Sequence, residues 1–257
     1  MKLCIYGSCS GTEPMAGRHH TAFSLETGGQ IYWFDAGESC SYTAHLMGVD
    51  LLRVSHIFIS HPHMDHVGGL GNLLWNIRKL SRVKKEPPRF GDVRVYMPSM
   101  KTWEGILAIL SQSEGGYQND YQTLGIPVCD GVLLDTPAIR VTAMHNRHLK
   151  EESEPFHSFS FLIEAEGKRI VYSGDVKDLS ELAPWIEEGC DLLLMETGHH
   201  DPATVCQRLA EGEGKVKALR FLHHGRKILF EYNQALAECR SILPTVEFSN
   251  DGDMLAL

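Results

Sequence analysis

The sequence predicts an α/β (α+β) fold of four layers, helix–sheet–sheet–helix, an αββα sandwich filling one domain over residues 1–257. Three observations lead there. Short runs rich in β-branched and aromatic residues alternate with segments of helical period along the whole chain. The order, strands first and helices after, occurs in each half. A chain of 257 residues that is 43% hydrophobic is large enough to bury one sizeable core. Elements that must each bury one face settle into stacked layers.

In the first half, "KLCIY" (2–6), "HTAFSLE" (20–26) and "IYWFDA" (31–36) read as strands. The Gly-Gly pair inside "FSLETGGQIYWF" joins the last two as a hairpin. "RVSHIFIS" (53–60) reads as a buried strand. Leu70, Leu73, Leu74, Ile77 and Leu80 recur at helical spacing. "VKKEPPRFGD" (83–92) is a surface loop by charge and proline content. A strand "VRVYMP", a helix from Ser99 to about Ser111 and a mobile loop at 113–122 follow. The second half predicts strands at 127–134, 138–144, 157–164, 169–174, 190–196 and 218–222. Its helices fall around 178–188, 202–212 and 230–241, with a last strand near 253–257.

Composition narrows the function. No apolar run approaches the ~20 residues a membrane span needs. The N-terminal apolar run is too short for an export leader, so a cytoplasmic location is expected. Seven scattered cysteines, never spaced as CxxC, argue for reduced thiols rather than a disulfide framework or a cysteine zinc cluster. With a net charge of −9, nothing global advertises a nucleic-acid partner.

The chemistry concentrates in "FISHPHMDHVGGL" (58–70), where His61, His63, Asp65 and His66 follow a buried strand and precede a helix. Imidazole and carboxylate converging at such a turn suit zinc and similar divalent ions, although Asp65 could also serve as a helix cap. Further ligand-type residues stand where apolar strands stop: His145 after "RVTAM", Asp175 after "RIVYSG" and His223 after "ALRFL".

Together, "HPHMDH" (61–66), His145, "YSGD" (172–175) and "FLHH" (221–224) resemble the metallo-β-lactamase superfamily. "GSCSGTEP" (7–14), "FDAGES" (34–39) and the ending "NDGDMLAL" extend the resemblance, and the branch it most resembles is that of ribonuclease Z and the cyclic phosphodiesterases. The resemblance implies the metallo-β-lactamase fold and a two-metal site. His61, His63 and His145 would hold one ion, Asp65, His66 and His223 the other, and Asp175 would bridge them. The ions would be zinc, with manganese or iron as alternatives. Asp35 and Glu196 would support the ligands by hydrogen bonds, and Gly68 and Gly69 would allow close backbone approach. Water held between the ions is acidified toward a hydroxide that attacks phosphorus or carbonyl carbon, and Asp65 would also orient it.

Two departures bear on the substrate. Met195 stands where ribonuclease Z carries the histidine thought to act as acid, leaving His199, His200, His148 and His224 as candidates, of which His199 and His224 are favoured. Only 29 residues separate His145 from Asp175, too few for the inserted tRNA-gripping arm. The leading expectation is therefore a phosphodiesterase acting on a small or cyclic phosphodiester. Arg18, His20 and His148, with Arg147 and Arg226, are candidate substrate contacts, and a homodimer is expected from the resemblance. The alternatives are a ribonuclease Z-like RNA 3′-end endonuclease, an ester, lactone or thioester hydrolase, and a metal-holding binding protein without turnover. A redox di-iron role is disfavoured because that branch replaces the second histidine of the motif, and His63 is intact.

Overall fold

Two seven-stranded sheets organise the chain in the computed structural model, which describes residues 1–257 throughout. Each sheet belongs to its own compact unit. The first unit comprises Met1–Gly7, Gly17–Val128 and Asp251–Leu257; the second comprises Ser8–Ala16 and Cys129–Asn250.

In the first unit, β1 (Lys2–Gly7), β2 (Ala22–Thr27) and β3 (Gln30–Phe34) form an antiparallel meander. The predicted β2–β3 hairpin is present. Gly28 (φ 57°) and Gly29 (φ 78°) occupy the left-handed conformations that a two-residue turn of matching twist requires. From β3 onward the pairing is parallel, through β4 (Val54–Phe58), β5 (Val93–Met97) and β6 (Thr123–Pro127). Parallel neighbours need crossovers. These are supplied by α1 (Cys40–Leu46), by α2 (Met64–Val67) with α3 (Leu70–Lys84), and by α4 (Met100–Ser111). The final strand, Met254–Ala256, returns to pair with β1.

The core of this unit follows from strand alternation. Tyr6, Trp33, Ile57, Ile59, Val95 and Met97 pack with Leu70, Leu73, Leu74 and Ile77 of α3, the residues whose spacing predicted the helix. The opposite face is aromatic. Phe23, Phe34, Phe58 and Tyr96 are register partners on successive strands and stack at 5.0, 5.0 and 4.5 Å. Such cross-strand ring pairs stabilise a sheet beyond the area they bury.

His56 is the one imidazole within this stacked face, 5.5 Å from Tyr32 and directly opposite Arg94. Burial, and then the nearby guanidinium charge, push it down to about 4. The unfolded chain takes up this proton near pH 6.5, whereas the folded chain does so only near pH 4. The unfolded state therefore binds more protons across that window, and stability falls as pH drops through it. Urea unfolding of metal-stripped protein is expected to show a loss of about 2 kcal/mol between pH 7 and 4.5 that is absent in His56→Phe. Parallel pH curves for the two proteins would sink this assignment.

The stretch predicted as one strand over 127–134 is divided. It contributes the end of β6 to one sheet and most of β7 (Gly131–Asp135) to the other. Pro127 lacks the N–H that would extend the ladder, and Gly131 (φ 108°) turns the chain. β6 itself starts at Thr123, directly after the predicted loop, part of which forms a short 3₁₀ turn at Glu114–Tyr117. Inside β6, a side chain on Gly125 would collide with the Trp103 indole (2.6 Å to Cε2). Gly125→Ala is expected to cost about 1–3 kcal/mol in chemical denaturation, the usual penalty for overpacking; an unchanged midpoint would show that Trp103 yields freely.

In the second unit, β7, β8 (Arg140–His145), β9 (Phe159–Ala165) and β10 (Lys168–Tyr172) run antiparallel. β11 (Leu192–Glu196), β12 (Leu219–Leu222) and β13 (Glu247–Phe248) then add in parallel. The predicted helix at 178–188 is a 3₁₀ turn (Leu179–Leu182) running into a four-residue α5 (Ala183–Ile186). Pro184 lies in the first turn of α5, where its missing N–H costs nothing. The turn starts at a full capping box between Asp178 and Glu181. Arg208 of α6 (Pro202–Ala210) clamps Asp178 bidentately at 3.0 Å, which holds that carboxyl well below its usual range. α7 (Arg226–Ile242) begins four residues earlier than its periodicity suggests and is broken at Glu231 (φ −126°, ψ 36°). All seven cysteines are free thiols. No helix is long and apolar enough to cross a membrane.

Candidate metal centre

The parallel strands place their polar residues at their C-terminal ends, the usual address of ligands in such sheets. In the first unit the chain leaves β4 at Phe58 and turns through Ser60 and His61. His63 then takes the N-cap position of α2, which puts Asp65 and His66 in a single helical turn. Asp65 is therefore not the cap.

Asp35, fully buried at the end of β3, organises this turn. One carboxylate oxygen accepts from the Ser60 amide (2.7 Å); the other accepts from the Ser60 hydroxyl (2.8 Å) and from His66 Nδ1 (2.8 Å). An imidazole that donates through Nδ1 to a carboxylate presents the lone pair of Nε2, the arrangement typical of metal-ligating histidines. The His61 ring lies 4.5 Å from that of His63 and 4.1 Å from that of His66. Asp65 Oδ2 is 3.5 Å from His66 Nε2. The four residues of the motif thus converge.

The expected close approach at the glycine pair is also present. The Ala36 amide donates to the His66 carbonyl (2.6 Å) and the Gly69 amide to the Ala36 carbonyl (2.7 Å). A side chain on Gly69 would strike the Gly37 backbone. Asp35 itself adopts φ 51°, a left-handed conformation uncommon outside glycine.

In the second unit, buried Asp175 follows β10 and gathers three histidines. His223 Nε2 lies 3.4 Å from Oδ1; His199 Nδ1 and His148 Nε2 lie 3.6 and 3.7 Å from Oδ2. Beneath them Glu196, the last residue of β11, is 1% exposed. It accepts from the His199 amide (2.9 Å) and faces His199 Nδ1 at 3.1 Å and His223 Nδ1 at 3.6 Å. Burial alone would raise the Glu196 pKa. The two imidazoles outweigh it and hold the carboxyl down to about 2, while Glu196 in turn raises His199. Asp175, Glu196, His199 and His223 each bring one donor atom within 4.8 Å of the others. This mixed carboxylate–imidazole set suits a divalent ion. His223 has φ 52°, and a side chain on Gly198 would stand only 2.6 Å from its ring.

Several expected roles shift. His145 does not join the Asp175 cluster. Its Nδ1 is bound to Asp130 (2.6 Å) and its ring lies flat on Phe156 at 3.9 Å. His148, three residues on, takes the place beside Asp175. His224 is excluded from the cluster by its packing: it is fully buried and its Nε2 contacts the Ser249 carbonyl at 2.7 Å. Met195 belongs to the apolar core against the helices, because strand alternation turns it away from Glu196. His200 Nε2 contacts the Val176 carbonyl at 2.9 Å. Of the proposed anion contacts, Arg226 is paired bidentately with Glu13, and Arg147 is exposed with Glu181 at 3.7 Å. His20, in the first unit with Arg18, is held by Glu38 at 2.6 Å.

The partners that sequence reading missed are Ser60, Asp130, Phe156 and Glu38. Asp130 and Glu38 sit in Gly-flanked turns ("CDG", "AGES") that signal only a bend, and nothing local marks a carboxylate aimed at a distant histidine.

Comparison with known proteins fits this geometry. The Bacillus subtilis metallo-β-lactamase fold protein YhfI superposes with a TM-score of 0.73 at 19% identity, covering 99% of each chain. The short form of human tRNase Z superposes at 0.69 and 18% identity, covering 100% of this chain and 99% of that one. These show the metallo-β-lactamase fold, the αββα class expected from the sequence. Ribonuclease Z of Treponema pallidum is 36% identical over 88 residues, 33% of this chain and only 28% of that protein's length. Ribonuclease Z of Methanococcus maripaludis is 25% identical over 245 residues, 76% of this chain and 74% of that protein. The family described as anti-Pycsar protein Apyc1 matches residues 1–211. The chain therefore belongs to the anti-Pycsar protein Apyc1 family.

Proposed function

We propose that the protein is a metal-dependent phosphodiesterase that opens a cyclic nucleotide. The anti-Pycsar description of its family supports a small cyclic diester over RNA, in agreement with the short span between His145 and Asp175. The observation that carries the reading is the buried Asp175 carboxylate ringed by His148, His199 and His223.

In the first unit His61, His63, Asp65 and His66 would serve as ligands of a divalent ion, and in the second Asp175 would do so with His148 and His223. His148 replaces His145 in this scheme because it alone of the two accompanies Asp175. When bound, the ions supply Lewis-acid stabilisation of the phosphoryl oxygens and an activated water; zinc fits the donor set, as do manganese and iron.

The chain's own residues do the rest. Asp35 holds the tautomer of His66, and Glu196 faces Nδ1 of His223, an arrangement in which each Nε2 would serve as the metal ligand. Asp65 orients the attacking water. His199, raised by Glu196 and 47% exposed, delivers the proton that the departing sugar oxygen requires.

The test is metal analysis combined with hydrolysis of 3′,5′-cyclic nucleotides. Two metal equivalents per chain and ring-opening at one P–O bond support the proposal. Full metal loading without turnover of any cyclic or linear diester would favour a binding protein instead, and faster processing of precursor tRNA would favour an RNA substrate.

A further inference from the structure

His145, an expected metal ligand from its sequence position, is elaborately held. Asp130 accepts from both its amide and its Nδ1, each at 2.6 Å. Its ring is parallel to Phe156 within 5°, with centroids 3.9 Å apart. The imidazole side chain is 38% exposed and its carboxylate partner 44%. Neither ring belongs to the apolar core of the second unit. The two residues bracket the loop that carries His148, and the Asn146 amide closes the loop's neck on the Ser158 carbonyl at 3.0 Å. A flat, half-exposed aromatic pair, its plane fixed in advance by a carboxylate, thus brackets the loop whose His148 Nε2 lies 3.7 Å from Asp175.

We propose that the His145–Phe156 pair is the shelf on which the nucleobase of the substrate stacks, an inference that rests on the cyclic-nucleotide reading above. A nucleobase is a third flat π system that extends such a stack, and stacking of this kind tolerates different bases because every base has a π face. The clamp by Asp130 means that little side-chain freedom is lost when the base arrives. A base held here would leave the phosphodiester to the metal ligands, with His148 linking the two ends of the site through one short loop.

The experiment compares wild type, Phe156→Ala and Phe156→Tyr on 3′,5′-cyclic AMP and on the base-free 1-methylriboside 3′,5′-cyclic phosphate, with metal content measured for each protein. Phe156→Ala is expected to raise KM for cyclic AMP about tenfold, the size of one lost base stack, while kcat changes little. Phe156→Tyr restores KM, and the base-free substrate is indifferent to both variants. An equal fall in kcat/KM for both substrates, or loss of metal in Phe156→Ala, would overturn the shelf and make the stack a clamp for the His148 loop. If wild type turns over neither substrate, the phosphodiesterase reading fails on its own. The shelf is then judged by calorimetric binding of cyclic AMP, with weaker binding to Phe156→Ala supporting it and equal or no binding overturning it.

Discussion

Asp175→Ala is expected to abolish phosphodiester hydrolysis, by at least about 10³-fold in kcat/KM, and to lower the bound metal below two equivalents. Lewis-acid stabilisation of a phosphoryl transition state is worth several kcal/mol, and each 1.36 kcal/mol is a factor of ten in rate. The carboxylate is 2% exposed and sits among His148, His199 and His223. Its removal takes away the one carboxylate that all three imidazoles face, leaving only Glu196 against the Nδ1 atoms of His199 and His223. Asp175→Asn keeps the shape and removes the charge, so it separates electrostatics from packing. Circular dichroism and thermal unfolding of both variants identify a folding defect. A folded Asp175→Ala protein with full metal content and activity within tenfold of wild type would refute the proposed metal-binding role of Asp175.

The second large effect separates two histidines three residues apart. His148→Ala is expected to cost about 10²–10³-fold in kcat/KM, the range for loss of one strong electrostatic contact to the transition state, and to release about one metal equivalent. His145→Ala is expected to retain both equivalents. The contrast follows from position, since His148 Nε2 faces Asp175 at 3.7 Å whereas His145 is turned to Asp130 and Phe156. Metal content by plasma mass spectrometry is decisive. Loss of metal from His145→Ala and not from His148→Ala would return the ligand role to the residue that the sequence pattern first indicates.

That exchange shows where sequence reading reaches its limit. The His61–His66 turn was legible because its residues are adjacent in the chain and only one conformation at a strand end brings them together. Asp175 and His223 were legible because each follows an apolar strand, so the strand's direction delivers the side chain, whereas Glu196 was legible only through the family resemblance. His145 meets the same criterion, but the loop after it is long enough to fold His148 back to Asp175, and no local pattern encodes that return. The Asp130 contact spans two strands and depends on the β7–β8 register, which one sequence does not reveal. In the fold, the α3 stripe and the Gly28–Gly29 hairpin were readable from periodicity and turn chemistry. The boundary at Pro127–Gly131 was missed because apolar residues flank Asp130–Gly131 on both sides, so the pair reads as a bend within one strand while the chain passes from one sheet to the other. α1 was missed because "CSYTAHL" carries neither a strong helical stripe nor a side-chain cap.

Asp35 and His223 share a backbone conformation, at φ 51° and 52°. Glycine would occupy both positions without steric cost, while a side chain there costs on the order of 1 kcal/mol. The chain therefore accepts a standing penalty at the two points where one carboxylate and one imidazole must face inward. At Asp35 the surroundings outweigh that penalty: glycine would relax the backbone but remove the acceptor of three buried donors, the Ser60 amide, the Ser60 hydroxyl and His66 Nδ1, each worth about 1–3 kcal/mol when stranded. The same carboxylate that shapes a ligand thus also secures the turn, so stability and chemistry are selected together there.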